Sequence, residues 1–208
     1  MRFISDATPE ASETYQRLLE AAGEIFAERG YRNATVREIC RKAHANVAAV
    51  HYHFGDKDAL YAAVLNSGVE SAKLMHPVPE LTGLAPEQKL RMIVLTFLRR
   101  IFDEGRPSWH GRLMAREMIE PTRALDSLVE EHIRPNQQRL IGVVRELVGD
   151  VDDETVRLCV LSVVGQCLYY FHCRAVVSRL FPTHNFNVES LADHITKFSL
   201  AALKEYRP

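Results

Sequence analysis

The chain has 208 residues, 47% of them hydrophobic and 25% charged, with a formal net charge of −1. These are the proportions of an ordinary globular protein, long enough for one large domain or two smaller ones that share a core. They exclude a uniformly basic polyanion binder, so any nucleic-acid surface has to be a local patch. The longest apolar run, "VLSVVGQCLYYF" (160 to 171), is interrupted by Ser162 and Gln166. It falls short of the roughly 18 residues of a membrane span and reads as a buried helix.

Periodicity is helical along nearly the whole chain, and no β-hairpin signal appears. Thr8-Pro9 opens the first helix as a capping residue followed by proline. Tyr15, Leu18, Leu19, Ala22, Ile25 and Phe26 form its apolar face, and Gly30 ends it. Thr35 and Glu38 have the spacing of a capping box, which starts a short helix ending near Ala43. Asn46 caps a second short helix through about His53. Asp56 caps a third, with Leu60, Tyr61, Val64 and Leu65 inward. "HPVPELTGLAPEQ" reads as a connection. Longer helices follow from Pro86 to about Gly105, Pro107 to Ile119, Ala124 to Val148 (broken near Pro135), Asp153 to Leu180 and Val188 to Tyr206. The result is an all-α chain of about nine helices. A small N-terminal bundle occupies residues 12–72 and a larger one residues 84–206.

Residues 35–54 form two short helices around a tight turn behind a long helix, the pattern of a helix-turn-helix. Ile39 and Val50 are placed to lock the pair together. Val47, Ala48 and Ala49 are small, as suits a helix end that enters a major groove, with Asn46 as its cap. His51, Tyr52 and His53 supply hydrogen-bond donors suited to phosphates, and Lys57 adds a charge at the next helix start. Residues 29–57 carry six basic against two acidic side chains, whereas residues 1–28 carry two against six. A basic patch thus sits on one part of an otherwise acidic domain. Metal binding by the histidines does not fit, because His51 and His53 are two apart and point about 200° away from each other on a helix. The four cysteines, Cys40, Cys159, Cys167 and Cys173, form no Cys-x-x-Cys pair and read as reduced thiols of a cytoplasmic protein. No nucleophile elbow, phosphate-cradling glycine loop or His-Glu-x-x-His is present, so neither an enzyme nor a cofactor is expected.

"AAGEIFAERGYRNATVREICRKA" followed by "HYHFGDKDALY" resembles the DNA-binding domain of the TetR family of bacterial transcriptional regulators, over about Ser12 to Ala72. "SWHGRLMAREMIEPT" and "LCVLSVVGQCLYYFHCR" resemble the ligand-binding and dimerisation domain of the CecR-like branch. The resemblance implies a ligand-responsive regulator, most simply a repressor, bound as a homodimer to palindromic double-stranded operator DNA. It gives Thr35 and Arg37 a place at the DNA, turns Val47, Ala48 and Ala49 to base edges, and sets His51, Tyr52, His53 and Lys57 on phosphates. Arg37 is the main candidate for a guanine contact. Two positions depart from the family: His44 stands where glycine is usual in the turn, and His51 where tyrosine is common. The last two helices, about 153–180 and 188–206, are implied to pair with their mates in a second subunit. A small-molecule effector is expected at Trp109, His110, Leu113, Arg116, Glu117 and Glu120, with Cys167 and Tyr170 (and Tyr169 and His172) completing the pocket. The competing reading is a helical small-molecule-binding protein or enzyme whose DNA-binding domain has decayed.

Overall fold

The computed structural model describes residues 9–103, 105, 107–183 and 187–207. Among them the secondary structure is helical, with no strand. The helices are α1 (Pro9–Asn33), α2 (Val36–Lys42), α3 (Val47–His53), α4 (Lys57–Met75), α5 (Pro86–Phe102), α6 (Ser108–Ile119), α7 (Ala124–Leu128), α8 (Arg134–Val148), α9 (Asp153–His172), α10 (Arg174–Leu180) and α11 (Val188–Lys204), with a π-helical turn at Val129–Ile133. The described residues pack as two compact units, one within 1–71 and 105–131 and the other within 72–104 and 132–208. The predicted cap Thr8 lies outside the described residues.

In the first unit, the apolar stripe of α1 meets α2, α3 and α4 around Leu18, Ala22, Phe26, Ile39, Val50, Leu60 and Leu65, all buried. Phe26, Tyr31 and Tyr61 pack edge-on and stacked, with Phe26 and Tyr61 centroids 4.8 Å apart. The helix breaks at Gly30, where the sequence places its end: that residue leaves helical geometry at φ 76°, ψ 166°, and the chain then turns again to Asn33. Only glycine takes such a φ at little cost. Residues 105–131 join this unit because α6 lies along α1, placing Trp109 and Leu113 in the same core. This segment lies within the C-terminal domain expected over 84–206 and packs with the first unit.

In the second unit, α5 packs on α8, α9 and α11 around Leu90, Val94, Leu98, Val144, Val148, Val160 and Ile195. Exposed ion pairs, Lys89–Glu146 at 2.7 Å, Arg91–Asp193 at 2.6 Å and Arg99–Glu189 at 2.9 Å, link the same helices. Such surface pairs contribute about 0–1 kcal/mol each. The break expected near Pro135 is the π-helical turn just before it. Proline has no N–H to give and its ring crowds the carbonyl four residues back, so the preceding turn widens. The helix expected over 153–180 is two helices, bent by 72° at Cys173, with no proline or glycine at the break. No single described helix is long and apolar enough to cross a membrane, although this bent pair together has the length and composition. Nor is α9 buried all round. Val156, Cys159, Val160, Val163 and Cys167 face inward, while Leu158, Leu161 and Tyr169 are exposed.

Candidate nucleic-acid interface

Local hydrogen bonds set the motif. Thr35 accepts from the Glu38 N–H while the Glu38 carboxylate accepts from the Thr35 N–H at 3.2 Å and from its hydroxyl at 2.9 Å. The Thr35 hydroxyl holds the Glu38 carboxyl below its ordinary value, with the Arg29 and Arg41 charges adding to the effect. Asn46 Oδ1 accepts from the Ala49 N–H at 2.8 Å, and Asp56 Oδ1 from the Ala59 N–H at 2.8 Å. The turn between α2 and α3 runs through His44 at φ 51°, the left-handed region in which glycine is unstrained and histidine is not. Ile39 and Val50 are buried between the two short helices.

With Val50 inward, the outer face of α3 consists of Val47, Ala48, His51 and Tyr52, exposed at positions i, i+1, i+4 and i+5. Tyr52 is 79% exposed. Thr35 and Arg37 are exposed at the start of α2. Ala49 is half-buried, and His53 is turned partly inward, edge-on to Tyr15 at 5.9 Å. His51 Nδ1 lies 2.6 Å from the Gly55 carbonyl oxygen, which fixes the ring against the end of its own helix. Lys57 Nζ sits 4.4 Å over the Tyr31 ring, whose hydroxyl donates to Asp58; that bond first, then burial, pushes the phenol up to about 12. The basic patch is partly spent within the unit: Arg29 pairs with Glu38 at 2.5 Å and Lys42 with Glu24. Arg37 has no hydrogen-bond or ion-pair partner among the described residues, so its guanidinium remains available. Among the described residues no group of three or more His, Cys, Asp or Glu side chains is placed to hold a metal ion.

The α6 residues expected at an effector have partners inside the first unit. The Trp109 indole N–H donates to Glu20 at 2.9 Å, and its ring fills the space over Gly23, where an added Cβ would come within 2.3 Å. The His110 ring lies over Gly68, where a Cβ would come within 1.7 Å. Leu113 is fully buried. Arg116 donates to the Glu28 carbonyl at 3.4 Å beside Gly30 and pairs with exposed Glu120 at 3.6 Å. Glu117 is fully buried and accepts from the Tyr61 hydroxyl at 2.7 Å, the Thr122 N–H at 2.8 Å and the Thr122 hydroxyl at 3.0 Å. Burial, then this carboxylate, raises the Tyr61 phenol well above its ordinary value. α6 is therefore gripped by the bundle that carries the motif. Gly23 and Gly68 make that grip possible. A glycine inside a helix costs about 1 kcal/mol against alanine, so two of them in α1 and α4 are the sequence signal of close packing that was missed. Cys167 and Tyr170 belong to the second unit. Cys167 is buried, its thiol pushed by desolvation up to about 12, and Tyr170 is half-buried against the core.

A helix-turn-helix bundle with an exposed reading face and an unengaged arginine defines a DNA-binding regulator. Residues 18–64 match the bacterial regulatory proteins of the tetR family, and residues 86–203 match the C-terminal domain of the HTH-type transcriptional dual regulator CecR. The chain belongs to the TetR family of bacterial transcriptional regulators and carries a CecR-type C-terminal domain. It is 24% identical to the HTH-type transcriptional repressor NicS of Pseudomonas putida over 205 residues, covering 95% of this chain and 94% of that protein. It is 25% identical to the dual regulator CecR of Shigella flexneri over 175 residues, 78% of each chain. Among solved structures, AibR in complex with isovaleryl coenzyme A and operator DNA shares the fold, with a TM-score of 0.61 and 18% identity over 89% of this chain and 97% of that one.

Proposed function

We propose that this chain is a homodimeric repressor that binds an inverted-repeat operator and is released by a small molecule. The carrying observation is the outward face of α3 beside the unengaged Arg37. On this reading Thr35, Arg37, Asn46, Val47, Ala48 and Ala49 meet the major groove, and His51, Tyr52, His53 and Lys57 hold phosphates. The second copy is proposed to pack on α9 and α11. Leu158, Leu161, Gly165 and Tyr169 form one exposed face of α9, and Phe198, Ala201 and Ala202 are exposed on α11. A Cβ on Gly165 would meet open space, so the chain's own packing does not require a glycine there. Close approach of another helix would. A twofold axis then presents two reading helices to the DNA, roughly 34–36 Å or a small multiple apart.

Effector control rests on the attachment of α6. A ligand can shift the DNA-binding equilibrium only by its differential affinity for the two states. Trp109, His110, Leu113, Arg116, Glu117 and Glu120 are the proposed effector-sensing residues of the first unit, with Cys167 and Tyr170 a separate set in the second. The mixture of apolar, aromatic and charged groups suits an amphipathic or aromatic molecule. AibR, crystallised with an acyl-coenzyme A and operator DNA, supports ligand control in this fold. Trp109 is the only tryptophan in the chain and gives the test. A compound that releases operator should shift the buried indole's emission at the concentration that releases the DNA. A compound that binds tightly yet leaves operator affinity unchanged contradicts the mechanism.

A further inference from the structure

We propose that α3 reads thymine, with Val47 and Ala48 packing on the 5-methyl groups of thymines in each half-site. The inference rests on the DNA-binding reading and specifies its target. The exposed face of α3 is divided along its length. Its N-terminal half presents only hydrocarbon, with Val47 40% exposed and Ala48 exposed, and its C-terminal half presents the hydrogen-bonding rings of His51 and Tyr52. Asn46, the polar side chain nearest the front, has its carbonyl oxygen held by the Ala49 N–H at 2.8 Å. Val50 on the opposite side is buried.

Hydrocarbon cannot satisfy a phosphate oxygen, so Val47 and Ala48 gain nothing from the backbone. In the major groove guanine offers two acceptors, cytosine a donor, and adenine one of each, whereas thymine offers one acceptor and, alone of the four, a methyl. Pressed against valine and alanine, the other bases lose water from a polar edge without recovering a hydrogen bond and without a methyl to bury in return, which is unfavourable. The preference therefore has an attractive and a repulsive part, as specificity generally does. Each methyl buried should raise affinity about fourfold, the equivalent of one CH2 removed from water. Hydrogen-bonded discrimination then falls to Arg37, which is exposed and unengaged.

The test uses the full-length protein and the duplex it selects from a random pool. Thymines at the positions facing α3 are replaced one at a time by deoxyuracil, which keeps every hydrogen-bonding group and removes the methyl. Loss of about fourfold in affinity per replacement is expected, with the loss absent in Val47→Ser for the thymine that Val47 covers. Both side chains are exposed, so that variant should melt like the wild type. A selected repeat that binds equally well with uracil, or that carries guanine or cytosine at those positions, overturns the thymine assignment and leaves the DNA-binding reading standing. Failure to enrich any duplex overturns both.

Discussion

At the scale of single residues, Arg37 and His51 are proposed to divide the recognition work. Arg37→Ala should cost about 1–3 kcal/mol on the selected duplex and much less on random DNA if it reads a guanine, as competition titrations would show. Equal loss on both would make it a phosphate contact. His51 has a narrower requirement. A carbonyl only accepts, so the nitrogen facing Gly55 at 2.6 Å must carry a hydrogen. The neutral ring then has only an acceptor left to turn outward. His51→Tyr, which places a hydroxyl donor there, should strengthen binding to every duplex alike, as phosphate contacts do. Unchanged affinity in the variant would place His51 away from the phosphates. Both proposals come from residue type at motif positions and so could be made from sequence. The lock on His51 could not, since it depends on where the Gly55 carbonyl turns.

Among the elements, those fixed locally were legible. The Thr35–Glu38 box, the Asn46 cap and the Asp56 cap each act within three residues, and all three stand as the spacing predicts. Thr35→Ala should cost about 1 kcal/mol in urea unfolding. Glu38 adds a pH dependence: its carboxyl is held low in the folded chain, so its contribution is present above the ordinary value of 4.5 and lost as the pH falls through its folded value. What sequence could not supply was long-range. The indole of Trp109 lies over a glycine 86 positions earlier in the chain, Gly23, and nothing near either residue announces the other. The bend at Cys173 likewise carries no proline or glycine to mark it. Gly68→Ala tests the attachment of α6. A methyl 1.7 Å from His110 forces the ring aside, and overpacking of this kind costs about 1–3 kcal/mol in thermal or urea melts. Unchanged stability would mean that α6 is held loosely.

On the scale of the whole molecule, an apolar strip along α9 and α11 is left uncovered by the chain's own packing, and the proposal is that a second copy covers it. Leu161→Glu should shift sedimentation from dimer to monomer and weaken operator binding, because the two reading helices would no longer be tethered. A variant that stays dimeric would put the interface elsewhere. The central claim, a dimer that reads a sequence, is tested most directly by selection from random duplexes with the full-length protein, followed by titration of the enriched site at two salt concentrations. The expected result is an inverted repeat bound by at least two protomers, with affinity falling steeply as salt rises because phosphate contacts release counterions. No enrichment, together with no salt-dependent affinity for any duplex, would contradict it and leave the exposed face of α3 as an ordinary solvated surface.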